Sequence, residues 1–213
     1  MVAASSGDVD LVVLIAAPGV PGDEIILKQS RVLVEHTLRA PGSLIKEEKI
    51  EQMLDETLRT QELIFEAVKN EADNEVLADT LRSLIDKQLE KMGYLYDEAA
   101  RSQMADAEID KLISPWFRFF LTYDPRPTLS EVSTPVLAVG GSKDMQVDSS
   151  INLPAIEAAL HAGGNTDVTT LELDGLNHLL QTADTGHVTE YGSIEETMAP
   201  SAMETIAAWI LER

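Results

Sequence analysis

Two polar side chains with complementary chemistry follow strand-like segments in the second half of the chain. Asp144 ends the turn 141–144, and His178 ends the turn 174–178. A carboxylate that hydrogen-bonds a histidine ring orients the ring and stabilises its protonated form, which is half of a nucleophilic triad. We therefore predict that both are catalytic residues, with Asp144 as the orienting acid and His178 as the base. The alternatives are a turn-forming aspartate, which is common after strands, and a histidine packed in a loop against backbone groups.

Three apolar segments predict the strands that would bring these residues together. Segments 9–16 and 135–141 are almost continuously apolar, which favours strands covered on both faces, as in a parallel sheet. Segment 168–173 alternates more, as expected nearer a sheet edge. Because the carboxyl ends of parallel strands meet at one edge, Asp144 and His178 are expected on adjacent loops there.

Helical patterns occupy the stretches between the predicted strands. Between the first two strands, apolar residues recur at helical spacing, at Ile50, Met53, Leu54 and Leu58 and again at Leu77, Leu81, Leu84 and Ile85. After the second strand, Asn152-Leu153-Pro154 predicts a helix start and Gly163-Gly164 its end. The order strand, helical insert, strand, helix, strand, helix predicts an α/β fold with right-handed crossovers.

A final helix is predicted from about Pro200. Ser201 and Glu204 have the spacing of a capping box. The predicted buried face consists of Met203, Ile206, Ala207 and Ile210.

Three parallel strands make a small sheet for a stand-alone core, because both faces must be covered. The apolar first strand would form an edge, which invites pairing with another chain. We predict that the chain is the C-terminal part of a larger protein, or that it forms a homodimer in which the exposed first strand or the helices of the insert pair; both can hold together.

The charge balance excludes several classes of partner. Sixteen basic and 37 acidic residues give a net charge of −21, which repels nucleic-acid backbones and anionic membranes. An adaptation to a salty habitat and a simple role in solubility both fit this charge. There is no cysteine, so thiolate metal sites and cysteine nucleophiles are excluded. Without a signal segment or an apolar run of roughly 18 residues, we expect a soluble, cytoplasmic protein.

Other candidate sites are weaker. Asp144, Gln146, Asp148 and Ser150 alternate like the start of a calcium loop, but Ser149 replaces its glycine and Ala155 its closing glutamate. The four histidines have no metal-ligand spacing, and we expect no metal or cofactor. Ser142 lies in an elbow-like run, Gly140-Gly141-Ser142-Lys143, but the second glycine of an elbow is missing, which favours a turn serine.

Several segments together resemble the α/β-hydrolase superfamily. Residues 135–144 look like its acid strand and turn, and residues 173–179 look like its histidine turn. Residues 16–22 and 114–125 resemble the segments flanking the lid in dienelactone-hydrolase-like or serine-aminopeptidase-like esterases. The resemblance covers essentially all 213 residues. It implies a partial α/β-hydrolase fold, mostly parallel sheet with a helical lid insertion.

The resemblance also implies a division of the chain. Residues 1–22 would hold the first core strand and the loop into the lid, residues 23–125 the helical lid, and residues 126–213 the C-terminal α/β core. An aromatic run within residues 114–125 would then line an acyl pocket beneath the lid, through Trp116, Phe117, Phe120 and Tyr123. The alternative for these aromatics is packing within the core.

The activity implied is hydrolysis of a carboxylic ester or a related acyl bond in a small-molecule substrate. Members of the family carry a serine nucleophile in Gly-x-Ser-x-Gly, and this motif does not occur in the sequence. The resemblance places the missing serine just upstream of Met1. We therefore predict the C-terminal part of a serine hydrolase, inactive alone. The alternative is a non-catalytic, truncated homodimer or ligand-binding module.

Overall fold

The computed structural model describes residues 2–40, 42–91 and 97–213. The chain divides into two compact units. The first consists of the residues up to Leu33 together with Asp124–Arg213, and the second is Val34–Tyr123. The second unit falls within the predicted lid, residues 23–125; that it acts as a lid stays a prediction. None of the helices in the described ranges has the length and apolar character needed to cross a membrane.

The first unit contains a parallel sheet of three strands in the order β1-β2-β3. These are β1 (Val12–Ile15), β2 (Val136–Gly141) and β3 (Val168–Leu173). All three strands lie within the predicted segments, so the mixed α/β class and the parallel sheet are confirmed. β1 is shorter than the predicted segment 9–16. Val136 of β2 lies opposite Val12 of β1 and Val168 of β3.

Helices make up most of the rest of the chain. In chain order the described α-helices are α1 (Val2–Ser5), α2 (Gly22–Leu38), α3 (Glu47–Asn70), α4 (Asn74–Lys91), α5 (Glu98–Leu112), α6 (Pro115–Thr122), α7 (Pro125–Leu129), α8 (Ser149–Ala162) and α9 (Pro200–Leu211). A 3₁₀ helix spans Val188–Ser193.

β2 is buried along its whole length because helices cover both faces of the sheet. Successive side chains of a strand point to opposite faces. Leu137 and Val139 accordingly pack in one apolar cluster with Trp209 of α9, and Val136 and Ala138 pack in another with residues of α8. This two-sided burial is the reason that the strand reads as continuously apolar.

The start of α8 was predicted wrongly. The helix begins at Ser149, and the side chain of Asp148 caps it by accepting a hydrogen bond from the backbone N–H of Ser150 at 2.9 Å. Asn152 lies one turn inside and is fully buried. Its Oδ1 accepts the N–H of Gly19 at 2.7 Å, and its Nδ2 donates to the Asp148 carbonyl at 2.9 Å. The predicted cap is therefore a bridge to the loop after β1, whereas the predicted end at Gly163 is confirmed.

The last helix is confirmed, but its cap and its buried face were predicted wrongly. Ala199 occupies the N-cap position and makes no side-chain capping bond, so Ser201 is not the cap. The buried residues are Ala202 and Trp209, whereas Met203 is 50% exposed. Ala207 and Ile210 are also exposed, and Ile206 is partly buried. The Trp209 indole determines which face of α9 is buried. Its Nε1 donates a hydrogen bond to Thr169 Oγ1 at 3.1 Å, and its ring lies beneath the Arg213 guanidinium.

The second unit has its own helical core. The predicted periodicity is confirmed at the residues that are most completely buried there, which include Leu54, Leu77 and Leu81. Arg118 of α6 fastens the end of α3, since its Nη1 donates to the carbonyls of Val68 and Glu71 at 2.9 and 2.6 Å.

We expect Asn152→Ala to destabilise the protein by about 2 kcal/mol, since it leaves the buried Gly19 N–H without its acceptor. Urea unfolding monitored by circular dichroism measures the change. His161→Ala, an exposed change on the same helix, is the control and should stay within about 0.5 kcal/mol of the parent. Equal stabilities for the two variants would contradict the bridging role.

Candidate functional site

The structure brings Asp144 and His178 together at the carboxyl edge of the sheet. Asp144 lies in the loop after β2, and His178 in the loop after the neighbouring β3. The ring Nδ1 of His178 lies 2.9 Å from Oδ2 of Asp144. The Asp144 side chain is completely buried (0% exposed), whereas 26% of the His178 side chain is exposed. A buried carboxylate thus faces one nitrogen of an accessible imidazole.

The backbone of its own turn orients the Asp144 carboxylate. Oδ1 accepts the N–H groups of Gln146 at 2.8 Å and Val147 at 2.9 Å. The Asp144 N–H in turn donates to the Gly141 carbonyl at 3.2 Å. With Oδ1 occupied by two donors, Oδ2 is the oxygen that remains for the histidine ring.

The loop after β3 that carries His178, here the histidine loop, is built around two buried amide side chains. Asn177 is fully buried, and its Oδ1 accepts the N–H groups of Leu179 and Gln181 at 2.9 and 3.0 Å. Its Nδ2 donates to Gln181 Oε1 at 3.0 Å, and Gln181 Nε2 donates to the Glu196 carbonyl at 2.9 Å. Leu180, which lies between Asn177 and Gln181 in the sequence, is fully buried and has a positive φ of 55°. These contacts fix the backbone on either side of His178.

The turn after β2 that carries Asp144, here the acid turn, contacts the histidine loop directly. Lys143 N–H donates to the Leu176 carbonyl at 2.9 Å, and Lys143 Nζ donates to the Ala183 carbonyl at 2.6 Å. A Cβ at Gly141 would lie 2.1 Å from the Leu176 carbonyl oxygen, so only glycine permits this approach.

Ser142 joins the same two segments. Its hydroxyl donates to Asp174 Oδ1 at 3.2 Å and accepts the Gly175 N–H at 2.8 Å. These contacts give Ser142 the role of a turn residue, which the sequence favoured over that of a nucleophile.

Sequence reasoning assigned no role to Asn177, Gln181 or Tyr191, and it considered Gln146 only as an oxygen ligand of a calcium loop. The only sequence signal for Asn177 and Gln181 is that two amides lie four residues apart, on either side of His178 and two leucines. Gln146 and Tyr191 are far apart in sequence, and their side chains meet at 3.0 Å only through the fold. No local pattern would have identified that pair.

The predicted substrate-binding aromatics lie on α6 and at its C-terminal end, in the second unit. Phe117 is buried, with its ring centroid 6.5 Å from that of Phe65. Trp116 is 68% exposed and stacks on Phe120 at 5.4 Å, and Tyr123 stacks on Phe119 at 5.1 Å. Phe117 thus occupies the helical core, while Trp116 lies at the surface of its unit. A pocket formed by these residues stays a prediction.

The oxygen atoms that suggested a calcium loop have partners within the protein. Asp148 accepts hydrogen bonds from Ser150 and lies 3.3 Å from Lys28 Nζ. Burial raises the pKa of Asp148, but the Ser150 bonds and the Lys28 charge outweigh this effect and lower it overall. Among the described residues, no group of three or more acidic or histidine side chains has the arrangement of a metal site.

No protein-family model, curated protein or solved structure matches this chain. The resemblance seen in the sequence therefore has no support from these comparisons, and the case for a function depends on the geometry of the site.

We expect His178→Ala to change the free energy of unfolding by less than about 1 kcal/mol, because Asp144 keeps its two backbone donors. Asp144→Ala should cost about 2 kcal/mol, because it leaves both of those N–H groups without their acceptor. Asp144→Asn keeps an oxygen acceptor and is the matched control. Urea unfolding at neutral pH compares the three variants. A loss of several kcal/mol in His178→Ala would instead indicate a structural histidine.

Proposed function

We propose that this chain is the C-terminal part of a serine hydrolase of the α/β-hydrolase type, which cleaves carboxylic esters or related acyl bonds. The observation that supports the proposal best is the 2.9 Å contact between His178 Nδ1 and the buried Asp144 Oδ2, at the carboxyl edge of adjacent parallel strands. The chain order, acid before histidine, is that of the α/β-hydrolases. The sequence has no Gly-x-Ser-x-Gly motif, so the nucleophile would come from another segment.

In this proposal His178 acts as base and then as acid. With Nδ1 donating to Asp144, Nε2 carries the lone pair and takes the proton of the serine hydroxyl as its oxygen attacks the acyl carbon. The buried Asp144 stabilises the imidazolium that forms, since its charge is poorly screened by water. Nε2 then returns the proton to the departing alkoxide, which leaves as the alcohol. Water repeats the sequence to release the acid and regenerate the serine.

The aromatic surface of α6 is the proposed source of acyl specificity. Trp116, Phe120 and Tyr123 would contact an apolar acyl chain, while Phe117 would support them from the helical core. The substrate class is accordingly a small-molecule ester or acyl compound, and neither nucleic acid nor membrane is a proposed partner, given the net charge of −21. The proposed compartment is the cytoplasm.

The test is hydrolysis of p-nitrophenyl butyrate by the purified chain, with intact mass after a fluorophosphonate probe. We expect no probe adduct and only slow release of p-nitrophenol, because an imidazole without a serine partner is a weak catalyst. His178→Gln should abolish the protein-dependent release, and Asp144→Asn should lower it about tenfold or more.

The control is His161→Gln, which removes an exposed histidine and should leave the rate unchanged. Release that does not depend on His178 would count against the proposal. An adduct on a serine of this chain would show that the nucleophile was assigned wrongly, with Ser142 the first candidate.

The alternative is a non-catalytic homodimer or ligand-binding module. The observation that favours it is the open edge of the sheet: β1 pairs with β2 on one side only among the described strands, and Ile15 is 44% exposed. An open apolar edge is a template for pairing with a second copy. The coding sequence upstream of Met1 distinguishes the two proposed functions. An in-frame Gly-x-Ser-x-Gly there supports the hydrolase, and a true start at Met1 supports the non-catalytic module.

If β1 pairs with a second copy, sedimentation velocity should show concentration-dependent dimers. Added salt should strengthen them, because each partner carries a net charge of −21. Ile15→Lys should give a monomer, because it places a charge at the apolar edge. Leu211→Lys, an equal change of charge at an exposed residue of α9, should leave the dimer intact. A parent chain that is monomeric at every concentration would contradict the dimer.

A further inference from the structure

A tyrosine outside the Asp144–His178 pair contacts Gln146, a residue that holds Asp144, and lies near the backbone of His178. Tyr191 lies in the 3₁₀ helix and is partly buried. Its hydroxyl accepts a hydrogen bond from Gln146 Nε2 at 3.0 Å. Gln146 is also one of the two residues whose backbone N–H holds Asp144 Oδ1, at 2.8 Å. The backbone N–H of His178 lies near enough to the phenol oxygen to lower the pKa of Tyr191. One hydroxyl group thus lies between the acid turn and the histidine loop.

The 3₁₀ helix is itself fastened beside the acid turn. Glu190 accepts the backbone N–H groups of Thr185 and Gly186 at 2.8 and 3.2 Å, which ties the helix to the segment before it. Gly186 packs directly on the acid turn, since a Cβ there would lie 1.9 Å from the Lys143 carbonyl oxygen. Tyr191 therefore reaches Gln146 from a segment that packs against the acid turn.

The phenol stays protonated at neutral pH. Burial raises the pKa of Tyr191, and the charges of Asp144 and Glu190 raise it further, against the opposing effects of the Gln146 side chain and the His178 backbone. A neutral hydroxyl can accept these N–H groups without adding a negative charge beside Asp144.

We propose that Tyr191 is a positioning residue that joins the acid turn to the histidine loop, so that the His178 ring keeps its Nδ1–H directed at Asp144. It acts through Gln146 and the His178 backbone and does not contact the reacting atoms. The proposal deepens the proposed function and rests on it, because Nε2 is available as a base only in this tautomer. It makes the tautomer of His178 depend on a residue of a different loop.

The test is the tautomer of His178, measured by long-range ¹H–¹⁵N correlation spectra of ¹⁵N-histidine-labelled protein at a pH where the ring is neutral. His178→Gln identifies the His178 signals among the four histidines. We expect the parent to be mainly Nδ1–H. Tyr191→Phe, which keeps the ring and removes the hydroxyl, should shift the tautomer ratio toward Nε2–H by about fivefold, the effect of losing one hydrogen bond.

Two further variants make the result specific. Gln146→Leu keeps its backbone N–H to Asp144 and loses the side-chain donor, so it should reproduce the shift. The double variant should then shift little further, because both changes break the same link. Thr189→Val removes a hydroxyl from the same 3₁₀ helix, one that contacts His187 instead, and should leave the His178 tautomer unchanged.

An unchanged tautomer ratio in a folded Tyr191→Phe protein would overturn the proposal, and so would a parent that is mainly Nε2–H. Either result is independent of ester hydrolysis, which is lost with His178 if the proposed function holds. A tautomer shift in a chain that also forms a probe adduct on one of its own serines would support the positioning role and overturn the proposed assignment of the nucleophile.

Discussion

All six residues of β2 are buried, so both faces and both edges of this strand must be covered by other parts of the chain. Parallel pairing with β1 and β3 covers the edges, and α8 and α9 cover the faces. Because both strand pairs are parallel, the carboxyl ends of all three strands lie at one edge of the sheet. The loops that carry Asp144 and His178 are neighbours for this reason.

The same burial makes the site costly unless its polar groups are satisfied. Asp144, Asn177 and Gln181 are buried, and each has hydrogen-bond partners in the turns around the site. A buried polar group without partners would cost about 1–3 kcal/mol, so such a network is stable in essentially one arrangement. The arrangement that places His178 against Asp144 is therefore a consequence of satisfying the buried groups.

The two units differ in what they contain. The first unit holds the Asp144–His178 pair, and the second holds a helical core to which the aromatic helix α6 belongs. In the helical unit, Phe117 is core and Trp116 is surface, although they are adjacent in sequence. A run of aromatics therefore contains both buried and exposed residues, and only the tertiary structure distinguishes them.

Periodicity and turn chemistry in the sequence determined the three strands, the helical spacing of the second unit, the Gly163 stop and the closeness of Asp144 to His178. These features depend on local pattern and on the rule that parallel strands end at one edge. The sequence did not reveal that Asn152 bridges to Gly19, that Trp209 decides the buried face of α9, or that Tyr191 reaches Gln146. Each of these depends on a partner distant in the chain, and an apolar helix such as α9 has no polar face to mark which side is buried. Local chemistry determined the elements, and only long-range packing decided their partners.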